Sequence, residues 1–250
     1  MLAQFVLFDG FDPLDVIAPF EVFSAARAFT DRVTVELACA EGARQVPSGI
    51  PGVALTAAAL LAPDRADLVV VPGAAGRLPG QGPDASAEEQ VPVILGRALT
   101  TELPKLLADA LAPAGTTVAT VCGGSLLLSM AGLVHGRHAT THHQGRDLLG
   151  AGGVHVVPGR VVDDGDLVTA GGVTSGLDLG LYLLEREAGP KVALAVEQLF
   201  AYERRGVVWR DQGVEPMSPA VGSVTVAGSV FPAAARRAAG TPDQHETLAT

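Results

Sequence analysis

Cys122 is one of two cysteines in the 250-residue chain, and it joins a run rich in β-branched residues, Thr116–Val121, directly to Gly123-Gly124-Ser125. A thiol at the carboxyl end of a buried strand, with a helix starting behind it, faces free backbone N–H groups and the positive end of a helix dipole. Both favour the thiolate, so the spacing predicts a lowered pKa and a nucleophile at neutral pH. The glycines permit a sharp turn that presents the side chain, as in the nucleophile elbow where serine takes this place. By itself the pattern fits a small buried hydrophobe equally well, since most free cysteines behave that way. Cys39 lies inside an apolar run with no flanking turn and is assigned to the core.

A nucleophile needs a proton partner. The six histidines are His135, His138, His142, His143, His155 and His245, four of them between positions 135 and 143. No cysteine and few carboxylates join that cluster, so it reads as a polar loop and no metal is expected. Asp9, Asp12 and Asp15 are the acids near another strand end. Asp15 opens a helical segment in an apolar setting, LDVIAP. It is either a first-turn charge favoured by the helix dipole or a site acid whose pKa burial would raise. Asp178 reads as a first-turn charge with Ser175 as its helix cap. Thr140 and Thr141 read as packing residues, and Trp209 as an anchor for a dimer contact or the tail.

The elements that must position these residues alternate. Gln4–Phe8, Val33–Ala40, Ala66–Val71 and Thr116–Val121 are strand-like. Val154–Val157, Arg160–Val162 and Leu167–Ala170 form three shorter strand-like runs. Helical spacing marks Leu14–Phe29, Leu126–Gly132, Leu177–Glu187 and about Val192–Glu203. A further helix over about Val93–Leu111 is expected to kink or break at Pro104. A Gly- and Pro-rich loop fills Ala74 to about Pro92. Strands alternating with helices predict an α/β fold with a mostly parallel central sheet covered on both faces. In such sheets ligands gather at the carboxyl ends of strands, where Cys122 stands. Residues 1–210 are expected to form one catalytic domain. Residues 211–250 are expected to form a C-terminal extension, partly mobile, with a short helix at Ala233–Ala239.

Composition narrows the function classes. Hydrophobic residues are 48% and aromatics 4%, so the core is aliphatic. A net charge of −10 argues against nucleic acid or an anionic membrane surface as partner. No uninterrupted apolar run reaches the ~18 residues of a membrane helix. The first residues, MLAQFVLFDG, lack the basic region of a signal peptide. With two cysteines only, a cytoplasmic location is expected.

Four blocks, FVLFDGFDPLDVIAPFEVF, DLVVVPGAAG, VATVCGGSLLLSMAGLVHGRHATTHH and TAGGVTSGLDLGLYLLE, resemble the PfpI-like cysteine superfamily. They occur in the family's order from Gln4 to Glu203, and within the family the likeness is greatest to isonitrile hydratases. The resemblance implies the class I glutamine amidotransferase fold, a flavodoxin-like three-layer sandwich. It places the nucleophile at Cys122 and the acid that points at it at Asp15, four residues before Pro19. It implies backbone N–H groups near the thiol from Gly73 and Gly123, with His142 shaping the same pocket. It also implies a homodimer and no cofactor. Related hydratases usually carry Thr after the cysteine, where this chain has Gly123, and Gly where it has Ala18. A neighbouring water, Ser125 or His142 is then left to supply the missing hydroxyl's role; without one of them the chemistry differs.

The activity so implied is hydration of a small-molecule isonitrile to an N-substituted formamide. Alternatives are glyoxalase-like or small-amide chemistry at the same cysteine, or a redox or ligand sensor. The same blocks occur in sensor domains of some transcription regulators, but no basic recognition helix follows here.

Overall fold

The computed structural model describes residues 1–77, 90–112 and 115–217. β1 (Leu2–Leu7) leads through a turn at Gly10 into α1 (Pro13–Ala26), then β2 (Thr34–Cys39). The hairpin of β3 (Arg44–Pro47) and β4 (Ala54–Ala57) follows, then β5 (Ala59–Leu60) and β6 (Leu68–Val71). Next come α2 (Val91–Ala98), α3 (Leu103–Leu111), β7 (Thr117–Val121) and α4 (Gly124–Met130). β8 (His138–Ala139), α5 (Arg146–Ala151) and β9 (His155–Val156) lead to the antiparallel pair β10 (Val161–Asp164) and β11 (Leu167–Ala170). α6 (Ser175–Ala188), α7 (Pro190–Phe200) and β12 (Trp209–Arg210) end the described part.

The main sheet runs β12-β10-β11-β7-β6-β1-β2-β5, and every neighbouring pair except β10–β11 is parallel. β6 is buried along its whole length, as the unbroken LVVV run requires of a strand covered on both faces. The chain steps from β1 outward to β2 and then back across to β6 and β7. Right-handed crossovers therefore put α1 and the α2–α3 pair on opposite faces. α1, α6 and α7 pack together on one side, and α3 and α4 lie against β7 on the other. The architecture is the flavodoxin-like three-layer sandwich with a mostly parallel sheet. No described helix is long and apolar enough to cross a membrane.

Two helices depart from the sequence pattern. α1 stops at Ala26, after which Ala28 and Phe29 N–H groups bond three residues back, to Ala25 and Ala26. Phe29 is exposed and offers no burial to hold a further turn. The expected helix over Val93–Leu111 is two helices, and the break comes before Pro104. The Thr101 hydroxyl accepts from Leu103 N–H at 3.1 Å and starts α3. Pro104 then sits in the first turn, where its missing N–H costs nothing. The β3–β4 hairpin and α5 carry no clear period and went unforeseen.

α1 and α6 approach closely because α6 presents glycines. A Cβ on Gly176 would lie 3.1 Å from Pro19 Cδ, and one on Gly180 3.1 Å from Pro19 Cα. Pro19 has no N–H for the carbonyl of Asp15, one turn earlier. On the other side of α1, Phe5 of β1 meets Phe20 and Phe23 edge-on, at 5.3 and 6.0 Å.

Asp178 is the expected first-turn charge of α6, and it is also a buried hub. It accepts from Arg160 Nε, from Tyr202 OH at 3.0 Å and from Arg205 N–H at 2.7 Å. Ser175 does not cap the helix: it is the first residue of α6, and its hydroxyl is buried without a partner. Residues 1–212 form one compact unit. The expected extension over 211–250, with its short helix, lies from residue 218 onward outside the described residues.

Asp178→Ala leaves three donors without their charged acceptor. It is expected to lower stability by about 3 kcal/mol, read as a lower urea midpoint with an unchanged slope.

Candidate active site

Cys122 follows β7 without a spacer and has φ 54°, a left-handed conformation that L-residues avoid at a cost of about 1–2 kcal/mol. Its neighbours hold it there. Its N–H donates to Ala170 O at 3.0 Å, and its carbonyl accepts from Thr141 Oγ1 at 2.7 Å. Behind it, α4 begins at Gly124, whose absent Cβ would lie 2.3 Å from Val71 O. The helix start is thus pressed against the end of β6, and only glycine fits. The thiol is partly accessible, and Gly123 N–H faces its sulfur.

Asp15 projects from the first turn of α1 and is fully buried. Oδ2 accepts from Gly73 N–H at 2.9 Å. Oδ1 makes no hydrogen bond of ordinary geometry, and the Cys122 thiol is the side chain that interacts with the carboxyl. Asp12 caps α1 by accepting from Leu14 N–H at 2.9 Å, and its own N–H donates to Gly73 O at 2.9 Å. Gly73, just past β6, is thereby held at both its polar groups by the start of α1. A Cβ there would lie 2.5 Å from Gly123 N and 2.9 Å from Asp15 Oδ2.

Gly73 therefore differs from its expected role. Its N–H serves the Asp15 carboxyl and not the thiol. Of the two expected backbone donors, Gly123 alone faces the sulfur.

The electrostatics also differ from the sequence reading. Burial lifts the Asp15 pKa well above the usual carboxylate range. The Asp12 charge adds to this, while the bonds to Gly73 and Cys122 oppose it. The thiol is raised too, first by burial and then by the charge of Asp15; Gly123 N–H acts against both. The expected lowering fails because α4 is only seven residues long and its dipole is set against burial and a neighbouring carboxylate. Two acids in contact do not ionise independently, so the pair titrates as a unit. With the proton on Asp15, the like-charge contribution on the thiol disappears, and Gly123 N–H is then set against burial and the more distant Asp12 charge.

Among the described residues the other expected neighbours, His142 and Ser125, make their hydrogen bonds to groups other than the thiol. His142 is half-buried, accepts from Gln144 N–H at 3.4 Å, and sets its ring 4.2 Å from that of His143. Among the described residues no hydrogen bond joins it to Cys122. Burial lowers its pKa, which keeps the ring neutral at neutral pH. Ser125 donates to Thr140 O at 2.7 Å and pairs with Thr120 at 2.6 Å, so its hydroxyl is committed inside the fold. His138 stacks between His155 and Trp209, at 5.0 and 4.9 Å, so Trp209 packs on its own chain. A cavity of about 640 Å³ opens beside the site, lined by Gly10, Arg44, Ala75, Ile94 and Arg97, with Cys122 outside its walls. Thr141, read as packing, bonds the carbonyl of Cys122; nothing in the linear sequence marks a contact across 19 residues.

Comparison with known proteins places this geometry in context. A model of the DJ-1/PfpI family matches residues 96–186. Isonitrile hydratase of Pseudomonas putida is 36% identical over 136 residues, 54% of this chain and 52% of that protein. The chain thus spans about half the length of that relative. An uncharacterised protein of Streptomyces lividans is 36% identical over 139 residues, 56% of this chain and 85% of that one. Among solved structures, a ThiJ/PfpI family protein from Pseudomonas syringae superposes with a TM-score of 0.66 at 25% identity, covering 82% of this chain and 76% of that one.

A neutral Asp15 can be told from a charged one by substitution. Asp15→Asn exchanges a neutral acid for a neutral amide. It is expected to leave the alkylation rate of Cys122 by iodoacetamide at pH 7 within about threefold of wild type. Acceleration well beyond that would mean that an ionised Asp15 holds the native thiol protonated.

Proposed function

The chain belongs to the DJ-1/PfpI family, and from that premise we propose that it hydrates isonitriles, R–N≡C, to N-substituted formamides. The observation that carries this reading is the buried Asp15 carboxyl set against the Cys122 thiol, with its pKa raised by burial. Hydration of an isonitrile needs a nucleophile for the terminal carbon and a proton for the same carbon. A thiolate beside a neutral acid supplies both, without metal or organic cofactor.

Cys122 Sγ attacks the terminal carbon while Asp15 protonates it, giving the thioimidate R–N=CH–S–Cys122 and an ionised Asp15. Water then adds to the thioimidate carbon. Its proton passes through Asp15 to nitrogen, leaving R–NH–CH(OH)–S–Cys122. Asp15 next takes the hydroxyl proton as the C=O forms and the C–S bond breaks. The formamide R–NH–CHO leaves, and thiolate and neutral acid are restored. Covalent catalysis divides one slow hydration into easier steps. Gly123 N–H favours the thiolate at the beginning and the end of the cycle.

Gly123 is the position at which related hydratases usually carry Thr. A Cβ here would meet Gly73 Cα at 3.4 Å, an ordinary contact, so a Cβ is accommodated. A threonine hydroxyl at this position would hold the attacking water.

The test is the reaction itself: purified protein with cyclohexyl isonitrile, the formamide followed by chromatography. Wild type is expected to form it, Cys122→Ala to form none, and Asp15→Asn to be slowed by about 100-fold or more. Gly123→Thr is expected to raise the rate. Folded wild type that makes no formamide, while Cys122 still alkylates, would overturn hydration. It would turn attention to glyoxals, which form a hemithioacetal at the same sulfur.

A further inference from the structure

Thr141 follows β8 and is fully buried, and its hydroxyl donates to the carbonyl oxygen of Cys122 at 2.7 Å. That carbonyl and the N–H of Gly123 are the two ends of one planar peptide group. The N–H end faces Cys122 Sγ. We propose that Thr141 is a positioning residue for the nucleophile, which fixes the Cys122–Gly123 peptide by its carbonyl end and so keeps the Gly123 N–H on the sulfur. The inference rests on Cys122 as the nucleophile of the proposed function but not on an isonitrile as its substrate.

The local backbone gives this contact its importance. Cys122 is left-handed, and its own N–H is held by Ala170 O. The peptide that follows is not part of that clamp. The helical ladder begins later, with Leu127 N–H bonding to Gly123 O. Rotation of this peptide about its flanking bonds, the motion that interconverts turn types, would aim a carbonyl dipole at the thiolate in place of an N–H. The Thr141 hydroxyl opposes that rotation. It also polarises the peptide, because a donor on the carbonyl strengthens the N–H at the other end.

The charged groups acting on the thiol, Asp15 and Asp12, both come from the start of α1 and are untouched by a change at Thr141. His142, next in the chain, turns its Nδ1 to Gln144 N–H. The Thr141 methyl lies toward Gly145, where a Cβ would meet it at 3.5 Å, so methyl and hydroxyl have separate neighbours. Substitutions can therefore remove one and keep the other.

The test follows alkylation of Cys122 by iodoacetamide from pH 6 to 10, with the modified cysteine identified by mass spectrometry. Thr141→Val, which keeps the shape and loses the donor, is expected to move the midpoint up by about one pH unit and to slow the reaction at pH 7 about tenfold. Thr141→Ser, which keeps the donor, is expected to stay at the wild-type profile. A folded Thr141→Val with the wild-type profile would overturn the proposal, and so would Val and Ser profiles displaced alike. If Thr141→Val does not fold, Thr141→Ala and Thr141→Ser lack the methyl equally and differ in the hydroxyl alone. They are expected to show the same one-unit separation, and coincident profiles would again overturn the proposal. Wild type that fails to hydrate isonitriles while the Thr141 variants still shift the profile would sink the substrate reading and leave this one standing.

Discussion

Two acidic side chains buried in contact cannot both be negative, and the site around Cys122 is organised by that constraint. Asp15 and Cys122 come from elements more than a hundred residues apart, the first turn of α1 and the end of β7. Burial raises both pKa values, and the charge of Asp15 raises the thiol further. The fold supplies one N–H to each partner: Gly73 N–H to the carboxyl, Gly123 N–H to the sulfur. Both partners are thus held in place from the backbone. That is the arrangement from which a thiolate can attack and a neutral acid can donate in the same step.

Close backbone packing makes the contact possible. Gly73 and Gly124 each stand where a Cβ would collide with neighbouring backbone, at 2.5 and 2.3 Å. The start of α1, the end of β6 and the start of α4 therefore meet with almost no side chain between them. Adjacent parallel strands bring their carboxyl ends to one edge, so β6 and β7 deliver Gly73 and Cys122 side by side. Gly176 and Gly180 serve α1 from its other side, letting α6 press on Pro19 and fix the helix that carries Asp15. The left-handed turn at Cys122 stores strain that its bonds to Ala170 and Thr141 offset.

How far the sequence reveals this depends on the kind of information involved. Continuous apolar runs such as LVVV and TVATV give the central strands, because a strand buried on both faces needs no polar residue. The strand–Cys–Gly–Gly junction marks the elbow, because the second glycine, Gly124, stands where a Cβ would collide with the end of β6. The sign of the thiol's shift is not legible. It is set by a carboxylate from a distant element and by burial, and a local helix dipole is the only contribution visible in linear sequence. The roles of Gly73, Asp178 and Thr141 escape for the same reason, since each is defined by a partner far along the chain. The β3–β4 hairpin escapes because its strands are only four residues long and half-exposed, with proline and glycine in the turn between them.

The protonation state of Asp15 at neutral pH is the point on which the chemistry turns, and infrared difference spectroscopy of wild type against Asp15→Asn reads it directly. A carboxyl stretching band from a protonated acid, lost in Asp15→Asn and shifted when Cys122 is alkylated, is expected if Asp15 holds the proton. Carboxylate bands alone in that difference spectrum would mean that Asp15 is ionised, has no proton to give, and cannot be the acid of this site.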